Sequence, residues 1–229
     1  MPLSLCSCEG CELKTLFFEN VSNLEIESIC SRKVEHNFKK GEIIIAEGNP
    51  IEDFIYMKSG LVKLVRGNIE GKEQIICFAR SLDFVSLLSI FSETHYNYSV
   101  IALEDSVICG MKLTEVKAIA MVNGRFALSL AEKINKASDE IIKTMLEVKK
   151  RRLLGRIAYM LLYFSRKVYK SQVFELPVSR KEIGEFIGMT TENVIRTLSD
   201  FRKDNIIKIN GKIIEIIDFE RLERIDEFS

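Results

Sequence analysis

The chain has 229 residues, 47% hydrophobic and 29% charged, which gives material for a sizeable core and excludes a disordered chain. Its 33 basic and 33 acidic residues cancel, so overall charge says nothing about a polyanionic partner. No apolar run approaches the roughly 20 residues of a membrane span, and the first ten residues lack a signal peptide's basic start and apolar core. The expectation is a cytoplasmic protein with no membrane partner, whose six cysteines serve as thiols, metal ligands or redox groups and not as a disulfide framework.

Cys6, Cys8 and Cys11 stand together in CSCEGC, before any periodic pattern. Three thiols this close can reach one metal centre. The zinc templates are not met, because no second pair follows and neither His36 nor His95 has a histidine nearby. The other reading is an incidentally cysteine-rich terminus. Between Leu16 and Ser31, Ile26, Ile29 and Cys30 share one face of a predicted short helix.

From Val34 the texture changes to short β-rich runs separated by turn signals: EHNF, EIIIAE, DFIYMK, LVKLVR, EQIICFA, FVSLLSIF, YNYSVIAL and SVICGMKL. Strands at this spacing, punctuated by glycine, predict a β sandwich or jelly roll. A long helix follows from Arg125. Ala127, Leu130, Ile134, Ala137, Ile141, Thr144 and Val148 recur at alternating three- and four-residue steps, a heptad seam that Leu128, Ile142, Met145 and Leu146 widen. The expectation is a parallel dimer through Leu130, Ile134, Ala137, Ile141 and Val148; the alternative is a helix buried within its own chain.

From Lys149 to Lys212 there are fifteen basic and six acidic residues, a local surface suited to phosphate. Leu153 to Tyr169 is predicted as an amphipathic helix, and Phe174 and Leu176 as a short strand. Ser179 can cap a helix bearing Ile183, Phe186 and Ile187, with Glu182 in capping-box position and Gly188 as the stop. Thr190 can cap a second helix whose inner face is Val194, Leu198 and Phe201 and whose outer face is Thr191, Glu192, Ile195, Arg196 and Ser199. That is a helix-turn-helix, whose second helix suits a DNA major groove; the alternative is a helical hairpin that only packs. IIKIN-GKIIEII then reads as a hairpin turning at Asn210-Gly211, with positive φ expected at both. A terminal helix is predicted from Phe219 to Ile225. No catalytic constellation is visible, so no enzyme is expected.

This order of parts resembles the Crp/Fnr family of bacterial transcription regulators over nearly the whole chain. The markers are KKGEIIIAEGN with Gly41 and Gly48, the Met57-Lys58-Ser59-Gly60 turn, Glu70-Gly71-Lys72-Glu73, Leu82-Asp83-Phe84 and the helix-turn-helix itself. The resemblance implies an α+β chain. Its parts would be an N-terminal cysteine-containing segment (1–33), a cyclic-nucleotide-binding-like jelly roll (34–118), a dimerisation helix (119–150) and a winged helix-turn-helix (151–229). It implies a homodimer on a two-fold symmetric DNA operator, with RNA polymerase as a further partner.

The family's base-reading Glu and Arg are matched by Glu192 and Arg196. Four residues are about one helical turn, so both can face the groove, carboxylate to cytosine N4 and guanidinium to guanine O6 and N7. Ile195 departs from the Ser common in the oxygen-sensing branch, and Thr191 from the Arg of cyclic-AMP receptors. Backbone contacts are expected from Ser179, Arg180, Thr190 and Asn193.

The signal is less legible. Val85-Ser86-Leu87 stands where cyclic-AMP receptors have Gly-Glu, and Tyr98-Ser99 where they have Arg-Ser, so only Ser99 matches the usual site. The oxygen-sensing branch binds a [4Fe-4S] cluster through three N-terminal cysteines and one late in the roll. Cys8, Cys11 and Cys109 match that pattern; the remaining ligand would fall near Phe17, and Cys6 could replace it. Two other function classes stay open: a thiol or metal redox protein whose cysteines act directly, and a cyclic-nucleotide regulatory module.

Overall fold

A computed structural model describes residues 4–5, 21–22, 33–67, 73–81, 83, 85 and 88–228. The chain divides into two compact units, residues 1–69 with 76–140 and residues 141–229 with 70–75.

The first unit is β-rich. Its strands are β1 (Ser4–Leu5), β2 (Val34–Phe38), β3 (Ile43–Ile45), β4 (Asp53–Ser59), β5 (Leu61–Gly67), β6 (Glu73–Arg80), β7 (Ser99–Ala102) and β8 (Ser106–Lys112). They form two four-stranded sheets, ordered β1-β2-β8-β4 and β3-β7-β5-β6. Side chains alternate across a strand, and both faces of the first sheet are covered. Met57 and Ile108 point inward to Ile45, Val62, Leu64 and Val100 of the second sheet. Phe54, Tyr56, Cys109 and Met111 point outward, against Leu113 and Val116 of α1 (Leu113–Val122) and Phe126 and Leu130 of α2 (Gly124–Lys150).

Two expectations change here. FVSLLSIF is not a strand over its described residues: Leu88–Ser92 turn, with the Ser89 carbonyl accepting from Ser92 and Glu93 main-chain N–H groups. An apolar run of that length does not distinguish a strand from a buried turn. The heptad seam is also partly used within the chain, since Leu130, Ile134 and Ala137 pack on this unit's own core. The apolar side chains left open on α2 are Leu128, Ile142, Met145 and Leu146. The face expected from Ile26, Ile29 and Cys30 lies outside the described residues.

The second unit contains α3 (Leu153–Tyr163), a π-helix (Phe164–Tyr169), β9 (Val173–Glu175), α4 (Arg180–Ile187), α5 (Thr191–Lys203), β10 (Ile207–Asn210), β11 (Ile213–Ile216) and α6 (Phe219–Phe228). Leu153 to Tyr169 is thus α-helical only to Tyr163. The wider π turn brings Phe164 and Tyr169 onto Phe174, with the Tyr169 and Phe174 rings stacked at 5.5 Å. The small sheet runs β10-β11-β9. Its hairpin pairs Asn210 with Ile213, so the two turning residues are Gly211 and Lys212, and positive φ falls on Gly211 alone (+61°). A two-residue turn with glycine first needs only that one left-handed position, which corrects the expected Asn210-Gly211 geometry.

Candidate nucleic-acid interface

The helix-turn-helix is built by local capping. Ser179 Oγ accepts from the Glu182 N–H at 3.2 Å, and Glu182 Oε2 accepts from the Ser179 N–H at 2.7 Å. Each carboxyl or hydroxyl oxygen so placed satisfies a main-chain donor that a helix start leaves open. Gly188 ends α4 at φ +68°, in the left-handed region that favours glycine. Gly184 packs against the turn: a Cβ there would lie 2.5 Å from the Met189 carbonyl oxygen. Thr190 Oγ1 then caps α5 through the Asn193 N–H at 3.3 Å.

Burial sorts the faces of α5. Val194, Leu198 and Phe201 are buried with Ile183 and Ile187 of α4. Glu192, Arg196 and Ile195 are exposed, Ile195 at 53%, while Thr191 and Asn193 are half-buried. Glu192 and Arg196 do not form an ion pair. The carboxyl of Glu192 is held below its usual range by its own main-chain N–H and then by the Thr190 hydroxyl. The guanidinium of Arg196 donates through Nη2 to Asn193 Oδ1 at 3.0 Å. Each is therefore oriented by a neighbour on the N-terminal side, and neither cancels the other's charge. The Asn193 role is legible in hindsight from the three-residue spacing, which puts both side chains on one face.

Of the expected backbone contacts, Ser179 and Thr190 have hydroxyl oxygens engaged in caps; Ser179 keeps its hydroxyl proton to donate, while that of Thr190 is turned to Glu192. Arg180 is half-buried, and loss of solvent lowers its pKa. The wing, β10 and β11, follows α5 through Asn205 at φ +57° and carries exposed Lys208 and Lys212.

In the β unit two of the positions that the resemblance sets toward a nucleotide phosphate, Val85 and Tyr98, are buried against each other. Tyr98 is 2% exposed, its hydroxyl donates to the Val85 carbonyl at 2.9 Å, and its ring meets Tyr96 edge-on at 5.8 Å. Val85 is itself fully buried. A phosphate needs a cation or several donors, and this spot offers an aromatic ring with its hydroxyl already engaged. The residues present do not fit a cyclic nucleotide held in the usual way.

Cys6, Cys8 and Cys11 lie outside the described residues. Cys109 is fully buried on the helix-facing side of β8, and its thiol donates to Glu35 Oε1 at 3.6 Å; that carboxylate also takes Lys58 Nζ at 2.6 Å. The strand register sets Ser4 level with Glu35, and Glu35 level with Cys109. Among the described residues no group of three or more His, Cys, Asp or Glu side chains is arranged to hold a metal. Nor is any helix among them long and apolar enough to cross a membrane.

The family model of the cyclic nucleotide-binding domain matches residues 35–123, and that of the Crp-like helix-turn-helix domain matches residues 155–225. The chain is 26% identical over 223 residues to electron transport regulator A of Shewanella oneidensis, covering 94% of this chain and 88% of that one. It is 26% identical over 226 residues to the fumarate and nitrate reduction regulatory protein of Yersinia pestis, covering 95% and 89%. The solved structure of FixK2 from Bradyrhizobium japonicum shares the fold, with a TM-score of 0.75 and 24% identity over 86% of this chain and 98% of that one.

Proposed function

The chain belongs to the Crp/Fnr family of transcription regulators, and on that premise we propose that it binds a two-fold symmetric DNA site as a homodimer, reading bases with α5. The observation that carries this is the pair Glu192 and Arg196. They are exposed on the outer face of a capped helix, separately oriented by Thr190 and Asn193, with a wing behind them. Arg196 would donate in pairs to guanine, Glu192 would accept from cytosine, and Ile195 would pack on a thymine methyl without forming a hydrogen bond. Thr191 borders that face. Ser179, Arg180, Thr190 and Asn193 would meet the sugar–phosphate backbone and set the register.

Two-fold symmetry requires a self-complementary face. The open apolar side chains Leu128, Ile142, Met145 and Leu146 on α2 offer one. RNA polymerase is the further partner such a regulator acts on, its place is with the chromosome in the cytoplasm, and no catalysis is involved. The controlling signal enters through the β unit.

A second reading of that signal is a thiol-based one. β1 (Ser4–Leu5) pairs with β2, which carries Glu35 and pairs in turn with β8, which carries Cys109. A [4Fe-4S] cluster would draw on Cys6, Cys8, Cys11 and Cys109, and would supply a redox-labile centre when bound. Against that reading, the Cys109 thiol is buried and donates to Glu35.

The test is selection of sites from random duplex DNA by the full chain, followed by Arg196→Ala on the selected site. The expected loss is about 1–3 kcal/mol on that site, with non-specific binding largely kept. An equal loss on random DNA would make Arg196 a phosphate contact only. Anaerobic purification with iron and sulfide assay separates the signals: colourless, iron-free protein that still binds its site would rule the cluster out.

A further inference from the structure

Arg156, in the first turn of α3, is engaged with three main-chain carbonyls. Its Nε donates to the Arg151 oxygen at 2.9 Å, and its Nη1 to the Ile187 oxygen at 3.0 Å and the Gly188 oxygen at 3.4 Å. The first acceptor lies at the break between α2 and α3. The other two lie at the end of α4, where a helix leaves its carbonyls without partners and where a cation is favoured.

Arg151 continues the chain of bonds. Its Nη1 meets Glu147 Oε2 on α2 at 2.6 Å, and its Nε and Nη2 meet Asp226 on α6 at 2.5 and 3.0 Å. Its guanidinium lies over the Tyr159 ring of α3 at 4.6 Å, and its side chain is 9% exposed. Burial acts to lower its pKa, yet Asp226 and Glu147 hold it raised. Arg151 falls within the basic run from Lys149 to Lys212 expected to face phosphate, but its donors are turned inward. Two neighbouring guanidiniums thus tie the end of α2, α3, α6 and the α4–α5 turn together.

We propose that Arg156 is a positioning residue for DNA reading, holding the α4–α5 turn against the end of α2 and so setting the distance between the two recognition helices of a dimer. The proposal rests on the DNA-binding reading above. In a two-fold dimer that distance is matched to the half-site spacing, so an error in the joint is read as a spacing error and not as a base error. Lysine cannot replace the arginine here. Its ammonium is a compact point charge without the planar fork that reaches carbonyls on two elements at once.

The experiment uses the full chain, sites it selects from random duplex DNA, and copies of those sites with the half-sites moved by one and two base pairs either way. Wild type is expected to prefer the selected spacing by about ten-fold or more over its neighbours. Arg156→Gln and Arg156→Lys should each lose about ten-fold on the selected spacing and show a flattened spacing profile. The penalty for changing a base within a half-site, and binding to random duplex, should stay as in wild type. Unchanged spacing preference in both variants overturns the proposal. So does equal loss by Arg156→Lys on every duplex, since Arg156 would then hold the fold and not the geometry. A wild-type protein that selects no spaced two-fold site overturns the DNA reading and this inference with it.

Discussion

The two units carry their chemistry in opposite directions. In the helical unit, Glu192, Ile195 and Arg196 stand outward on α5, and the polar atoms around them are arranged to keep them there: Thr190 on Glu192, Asn193 on Arg196, Ser179 and Glu182 on the start of α4. In the β unit the corresponding positions have turned inward. Tyr98 occupies the place of a phosphate-binding arginine and closes onto Val85, and Cys109 points its thiol at Glu35 under α1 and α2. One fold element is kept for a surface that must meet a large polyanion. The other buries Tyr98 and Val85 against each other, at positions where the resemblance expects ligand contacts.

The largest effect that would sharpen this contrast comes from emptying that core. Tyr98→Ala removes a ring that is 2% exposed and should cost about 3 kcal/mol of stability, judged by aromatic-to-alanine changes in other cores. Thermal and denaturant unfolding of the full chain measure it. Cyclic AMP should raise the melting temperature of neither protein. A clear rise in wild type would break the contrast, because only a ligand bound to the folded state stabilises it.

A smaller effect is expected in the helical unit. Ser179→Ala removes one side of the capping box and should cost about 1 kcal/mol, measured the same way. If it cost as much as Tyr98→Ala, the caps would be part of a larger buried network, and the helical unit would not be locally built.

The smallest signal should come from Cys77. Burial, then the nearby Asp83 charge, pushes its thiol up to about 12. At pH 8 that leaves about one thiolate in ten thousand, so iodoacetamide should barely label it in the folded protein, as read by mass spectrometry. The sign for stability follows: the contribution is complete below the thiol's ordinary value of 9.0 and is lost as pH rises from there toward 12. Cys77 is half-buried, so rapid labelling at pH 8 would mean that its surroundings do not hold the thiol protonated.

The same contrast explains what could be read from residues alone. Capping is a three-residue affair, so Ser179, Glu182, Gly188 and Thr190 announced α4 and α5 directly, and the inward face of α5 followed from its periodicity. The β unit's decisive contact, Tyr98 to Val85, joins residues thirteen apart and has no local pattern. The long helix shows a third case. Its heptad spacing was real, but period alone does not say which side the chain's own core will cover, and Leu130, Ile134 and Ala137 went to that core. The Arg156 joint spans 31 residues to Ile187 and was likewise invisible.

The central claim is that Arg196 reads a guanine, and a double-mutant cycle addresses it most directly. Arg196→Ala is combined with replacement of the conserved G·C pair of the selected half-site by A·T, and all four affinities are measured at one salt concentration. Each single change should cost about 1–3 kcal/mol and the double change little more than either alone, because both remove the same contact. Costs that simply add would mean that the arginine and the base pair do not meet, and would contradict the account.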